Sequence, residues 1–151
     1  MNAIKLYRIA RFFHEKKIPL VPKIIKGVIF VLYNSVVPYT SIIGRDTKFA
    51  YGGIGVVLHG KCVIGNRVVI GQGVTVGRKL DPEGVPLIGD DVYISAGSRV
   101  LGGVTVGSNV IIGANSVVIS DVPPNCIVAG APAKIVRMVD VSIYELLKNI
   151  Y

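Results

Sequence analysis

Tryptophan is absent from this chain, and cysteine and histidine occur only twice each. Two cysteines cannot build a disulfide framework, so the fold must hold itself together by burial. His14 and His59 lie far apart, with no Cys-x-x-Cys and no His-x-x-His. Metal-ligand spacing is therefore missing, and no intrinsic metal is expected. Long apolar runs are missing too. Although 51% of residues are hydrophobic, the longest apolar stretch, Val28 to Tyr33, is far shorter than the roughly 20 residues that span a bilayer. Met1 leads directly into a basic helical segment rather than a signal peptide, so a cytoplasmic protein is expected. The 151 residues suit one domain with a continuous core.

Acid is scarce as well, nine Asp and Glu against 17 Lys and Arg, and the imbalance is uneven. Residues 1–40 carry seven Lys and Arg against Glu15 alone, a net of +6, and the rest of the chain supplies only +2 of the total +8. An imbalance confined to one terminus marks a surface contact rather than a property of the fold. Peripheral membrane association through residues 1–40 is one expectation, and no nucleic-acid partner is expected.

What the chain has in abundance is a six-residue beat. Leu58, Ile64, Ile70 and Val76, then Ile88, Ile94, Val100, Val106, Ile112 and Val118 recur every sixth position, all aliphatic. Four positions after each stands a small or β-branched residue, such as Cys62, Val68, Val92, Ser98, Val110 and Ser116. Gly often follows the aliphatic directly, and Gly, Asn or Asp stands three positions after it, as at Gly73, Asp91, Gly97, Gly103, Asn109, Asn115 and Asp121. Those three residue types tolerate positive φ. Each hexad thus reads as a short extended face and a sharp corner, a period that no helix fits. Repetition at fixed spacing means a solenoid, here an all-β one built of hexapeptide repeats.

The beat skips once, between Val76 and Ile88. Residues 78–86 hold two Pro, one Gly and four charges, and read as a loop thrown out from a corner. Such a loop is either a tolerated insertion or a place for chemistry. Ahead of the repeats, residues 1–40 predict an amphipathic helix over 3–17 with Leu6, Ile9, Ala10 and Phe13 on one face. A second helix, with Pro22 in its first turn, runs to about Asn34 and is apolar almost all round, so it must bury against something. These helices pack together and cap the first coil or line an oligomer interface, and a basic face can at the same time lie on an anionic membrane. The β-solenoid spans 41–137. Residues 138–151 follow, where Ser142-Ile-Tyr-Glu145 has the capping-box pattern of a short closing helix.

His59 occupies the place after the hexad aliphatic where Gly usually stands. A polar ring at a corner is either a structural residue or a proton acceptor near neutral pH. Around it, Gly53-Ile-Gly-Val-Val-Leu-His59, Val63-Ile-Gly-Asn66 and Gly71-Gln-Gly-Val-Thr-Val-Gly77 resemble the hexapeptide-repeat acyltransferases. So does the close of the repeats, Asp121-Val-Pro-Pro-Asn125 and Ala129-Gly-Ala-Pro-Ala-Lys134. Within that family the chain resembles the serine acetyltransferase-like branch, which includes O-acetyltransferases of surface polysaccharides. The resemblance implies a left-handed parallel β-helix with three hexads per coil, a homotrimer, and acetyl-CoA bound in a groove between subunits. It also implies direct acyl transfer, with a histidine taking the proton of an acceptor hydroxyl.

This chain departs from the serine acetyltransferases at two places. They carry one essential histidine where it reads Tyr51-Gly52, and another in the loop equivalent to 78–86. His59 is the remaining candidate for catalytic base. Residues 18 apart stack in such a coil, so Ala96 and Ala114 form a column that either fits a tight corner or leaves room for a pantetheine arm. The resemblance puts Lys134 and Arg137 near the CoA phosphates, and Tyr51 and Gln72 are candidates to orient the acceptor. The leading expectation is an O-acetyltransferase acting on a sugar hydroxyl of a surface polysaccharide or its precursor, at the inner face of the membrane. Serine O-acetylation, N-acylation of a nucleotide sugar and a non-catalytic trimeric scaffold are the alternatives.

Overall fold

The computed structural model describes residues 2–80 and 83–149. The hexads form three parallel sheets, and the chain visits them in rotation, so each circuit lays one strand on every face. The first face carries Ile42–Ile43, Val63–Ile64, Leu87–Ile88 and Thr105–Val106. The second carries Lys48–Phe49, Val69–Ile70, Val92–Ile94, Val110–Ile112 and Cys126–Gly130. The third carries Val57–Leu58, Thr75–Gly77, Arg99–Leu101 and Val117–Val118.

Register follows the hexad count where the count is regular. Tyr93 pairs with Ile111 and Arg99 with Val117, each 18 positions on. Thr75 pairs instead with Arg99, because loop 78–86 adds one hexad's length to that coil. All ten aliphatics of the beat are buried, from 0% to 3% exposed. The small or β-branched residues four positions after nine of them are buried too, Leu80 after Val76 being exposed in the loop instead, and the two serines among the nine bond across coils. Ser98 Oγ donates to the Gly113 carbonyl at 2.8 Å, and Ser116 Oγ accepts the Gly130 N–H at 3.1 Å. A hydroxyl can sit in this core because the neighbouring coil supplies a backbone partner.

The three corners differ, and the difference matters for the site. Asp46, Arg67, Asp91, Asn109 and Asn125 take positive φ at one corner, and Gly55, Gly73, Gly97 and Asn115 do so at the next. Gly103 and Asp121, expected to do the same, are not in that conformation. At the third corner positive φ falls instead on Gly102, one position earlier. That corner is also the loosest. A Cβ placed on Gly65 at the first corner or Gly71 at the second would lie 2.5 or 2.6 Å from the adjacent coil's backbone. On Gly77, at the third, its nearest neighbour would be at 3.8 Å. That corner accordingly carries His59, Leu101 and Ile119 in the column that Gly77 shares.

Helix α1, Ala3–Glu15, closes the first coil. Its side chains satisfy the edge carbonyls that a terminal strand leaves open. Tyr7 donates to the Ser41 carbonyl at 2.6 Å, Arg8 to those of Ile43 and Gly44, and Arg11 to those of Tyr39, Thr40 and Ser41. Helix α2, Leu20–Tyr33, ends on Asn34 in the left-handed region. It is apolar almost all round and does bury against the core, but only on its Pro22 and Ile29 side, and its outer face is open to water. The far end also departs from expectation. Ala133–Met138 returns antiparallel along Cys126–Gly130 instead of starting another coil. The closing helix α3, Ile143–Leu146, begins with Ser142 capping the Tyr144 N–H. It does not cover the coil's end but lies along the Asp/Asn corner, where Asn109 Oδ1 accepts the Ile143 N–H and Tyr144 donates to the Arg67 carbonyl.

Candidate active site

Loop 78–86 leaves the third corner just beyond Gly77 and is pinned to the next coil at two points. The aliphatic stem of Lys79 lies against Gly102, where an added Cβ would meet it at 2.8 Å, and Lys79 Nζ reaches the Ile119 carbonyl at 3.2 Å. Gly84 rests on Gly103 so closely that a Cβ on it would approach the Gly103 Cα to 2.6 Å. Asp81 and Pro82 lie outside the described residues.

Between this loop and the corner is a cleft of about 800 Å³, lined by His59, Lys61, Arg78, Lys79, Glu83 and neighbouring loop residues. Its charge is net positive. Lys61 and Arg78 make no side-chain ion pair among the described residues, so both are available to an anionic group. His59 is half-buried, and its backbone is held by bonds to Val76 and Cys62. Its Nδ1 accepts the Lys61 N–H at 3.2 Å, which puts the proton of a neutral ring on Nε2. That bond is long, and releasing it to free a lone pair for a substrate proton costs on the order of 1 kcal/mol.

The other predicted residues gather at the second corner. Gln72, Ala96 and Ala114 follow one another there, with the Gly97 N–H on the Gln72 carbonyl and the Asn115 N–H on that of Ala96, both at 2.9 Å. Tyr51 stands at the same corner, in the short 3-10 insertion Ala50–Gly53, with φ of 49° and 76% exposure. A tyrosine held in the left-handed region and pushed into water is a strained, outward-facing side chain. Lys134 pairs with Ala129, whose Cβ lies 3.0 Å from where a Cβ on Gly113 would be, so it joins the upper end of this ridge. Arg137 pairs with Ile127 and sits out on the sheet face. One molecule thus holds His59 on one corner and the small-residue ridge on the next, with the third face between them. The cations Lys61, Arg78 and Lys79 were not singled out from sequence. The skipped beat located their loop, but nothing in the spacing showed that the loop folds back over His59.

Comparison with known proteins bears on this arrangement. Residues 86–120 match the model of the bacterial transferase hexapeptide (six repeats). The serine acetyltransferase of Bacillus pumilus is 38% identical over 138 residues, which are 90% of this chain and 63% of that protein. The crystal structure of serine acetyltransferase from Neisseria gonorrhoeae superposes with a TM-score of 0.84 at 31% identity, covering 99% of this chain and 58% of that one. That of the Brucella abortus enzyme in complex with coenzyme A gives 0.85 at 28%, covering 91% and 55%. The chain spans less than two thirds of each of these proteins.

These relatives overturn the expectation of a surface-polysaccharide acceptor, since the matched proteins are serine acetyltransferases. The expectation leaned on the basic N-terminus, and a charged helix bears on where a protein sits rather than on what its cleft holds. Residues 86–120 thus match the hexapeptide repeat of bacterial transferases, and the three-faced coil carries the same hexad pattern on either side of that match.

Proposed function

We propose that the chain is an acetyl-CoA-dependent O-acetyltransferase of the serine acetyltransferase type, acting on the hydroxyl of a small amino-acid acceptor such as serine. The observation that carries this reading is the cleft. It joins the one histidine of the repeat region to Lys61 and Arg78, cations that make no ion pair among the described residues, in a chain that matches serine acetyltransferases over nine tenths of its length. A free amino acid presents a carboxylate next to its reacting hydroxyl. Pairing that carboxylate with Arg78 and Lys61 directs the hydroxyl toward His59.

In this reading the coils wind left-handed and three chains associate, so that the His59 corner of one subunit faces the small-residue ridge of its neighbour. Acetyl-CoA is then the acyl donor. The ridge of Ala96 and Ala114 leaves room for the pantetheine arm, and Lys134 and Arg137 meet phosphate groups at its upper end. His59 accepts the hydroxyl proton while the oxygen bonds to the thioester carbonyl carbon. The carbon–sulfur bond breaks as CoA leaves as a thiolate, which takes up the proton His59 received. Tyr51 and Gln72 border the acceptor from the ridge side. No step requires a resident cofactor.

The test is acetyl transfer from acetyl-CoA to L-serine by the full chain, followed as released CoA thiol and as O-acetylserine. Serine-dependent release of both supports the proposal. If CoA binds but no acetyl group passes to serine or to any other small hydroxy amino acid, the acceptor assignment is wrong. If CoA does not bind at millimolar concentration, a scaffold role replaces the enzymatic one.

A further inference from the structure

Two features of the N-terminal helices serve neither the coil nor the cleft. The first is the outer face of α2. Ile25, Ile29 and Tyr33 turn toward the core, whereas Leu20, Ile24, Val28 and Val31 stand in water, Leu20 at 66% and Val31 at 80% exposure. At about 100° per residue these four form one stripe roughly 80° wide, on the side away from Ile29. A single exposed aliphatic residue is ordinary, but a continuous stripe over three turns marks a contact surface.

The second feature is the charge beside the stripe. Lys23 stands about 60° from the edge of the stripe and Lys26 about 60° further round on the same side, and Lys16 and Lys17 are exposed in the turn that leads into the helix. No acid occurs between Glu15 and Asp46, and Glu15 is occupied by Arg11 at 2.7 Å. None of the four lysines makes an ion pair among the described residues. Lys23 and Lys26 also border a shallow recess of about 400 Å³, formed with Gly27, Phe30, Ser35 and Val36. A Cβ on Gly27 would meet nothing within 4 Å, so the recess is open on that side.

We infer that α2 is an interfacial helix that docks this protein on an anionic bilayer, its aliphatic stripe in the headgroup layer and its lysines against lipid phosphates. An anionic leaflet complements both features at once. A second copy of the chain does not, because a two-fold contact across this stripe brings one cationic border against another. The inference is independent of the acetyl-transfer proposal, and its failure leaves that proposal untouched.

The experiment is cosedimentation of the full chain with vesicles of phosphatidylcholine alone and of phosphatidylcholine mixed with phosphatidylglycerol. Binding is expected only to the mixed vesicles, weakening as salt shortens the screening length. A lysine near an anionic surface contributes about fivefold to partitioning, so Lys23→Gln with Lys26→Gln should weaken binding by about 25-fold. Ile24→Ser with Val31→Ser should weaken it by roughly tenfold or more at every salt concentration, because the stripe acts through burial rather than charge. All four positions are exposed, so circular dichroism should remain that of the wild type. Equal binding to both kinds of vesicle, binding to neither, or undiminished binding by the lysine variant overturns the inference. It is overturned also if Val31→Asp dissociates a lipid-free oligomer in sedimentation equilibrium, which would make a second copy the occupant.

Discussion

Replacing His59 by Asn separates chemistry from architecture at the point where the functional reading is most exposed. The corner that holds His59 is the one that accepts side chains, since Leu101 and Ile119 occupy the same column and a Cβ on Gly77 would fit without strain. The ring is half-buried, and its recorded side-chain bond is the 3.2 Å contact from the Lys61 N–H, which an Asn side-chain oxygen can also accept. The structural cost of the substitution is therefore below about 1 kcal/mol. A lost general base lowers kcat by about 10²–10⁴-fold, which at 1.36 kcal/mol per tenfold is about 2.7–5.4 kcal/mol of barrier. The two effects differ enough to be read apart in one series of measurements. Released CoA thiol gives kcat, titration with CoA gives affinity, and urea unfolding gives stability. We expect kcat to fall by at least two orders of magnitude while affinity and stability stay close to wild type. A variant that keeps more than about a third of wild-type kcat refutes the assignment and makes His59 a structural corner residue.

Three further outcomes follow from the same geometry. Gly71→Ala should lower stability by about 1–3 kcal/mol, the usual range for overpacking, because its Cβ would sit 2.6 Å from the Ala96 backbone nitrogen. Gly77→Ala should change stability by no more than about 0.5 kcal/mol, and equal effects in urea unfolding would refute the corner analysis. Ala96→Trp or Ala114→Trp should weaken CoA binding by about tenfold or more, roughly 1.4 kcal/mol, with circular dichroism unchanged. Unchanged affinity would move the groove elsewhere. Burial pushes the Cys62 thiol from 9.0 up to about 12 and raises that of Cys126 as well. Both should resist a thiol reagent at mild alkaline pH until the chain unfolds. Because the raised thiol ionises more readily when unfolded, Cys62 supports stability below pH 9 and should lose that support as pH rises toward 12. Rapid labelling of the native protein would contradict this.

The repeats were legible because burial in a coil is periodic and local. Each of Leu58, Ile64, Ile70 and their successors points inward for a reason written in its own hexad, an aliphatic side chain between two corner residues, and every one is buried. Loop 78–86 was legible for the same reason, as the one place where the period lapses. The ridge of Ala96 and Ala114 came from counting 18 residues per coil, and that count holds wherever no insertion intervenes. The acceptor was misjudged because the argument for it rested on charge outside the cleft.

Other features were decided only in three dimensions. Positive φ at Asp91 and Asn115 but not at Asp121 cannot be told from residue type, because all three residues tolerate both conformations. The helices follow the same logic. Arg8 and Arg11 hold the carbonyls of Tyr39, Thr40, Ser41, Ile43 and Gly44, about thirty positions away, a pairing that helical periodicity does not record. Helix α2 reads as a buried helix and is exposed on its outer side, because apolar composition shows that burial is favourable without supplying the partner that provides it. The cleft is the clearest case. The chain itself determined that His59 stands at a corner and that a loop leaves nearby, since both are properties of the period. That the loop folds back, lays Lys79 across Gly102, seats Gly84 on Gly103 and brings Arg78 to the same cleft as His59 is a matter of packing between coils. Contacts of that kind depend on how close two distant stretches of backbone approach, and the hexad beat carries no record of that distance.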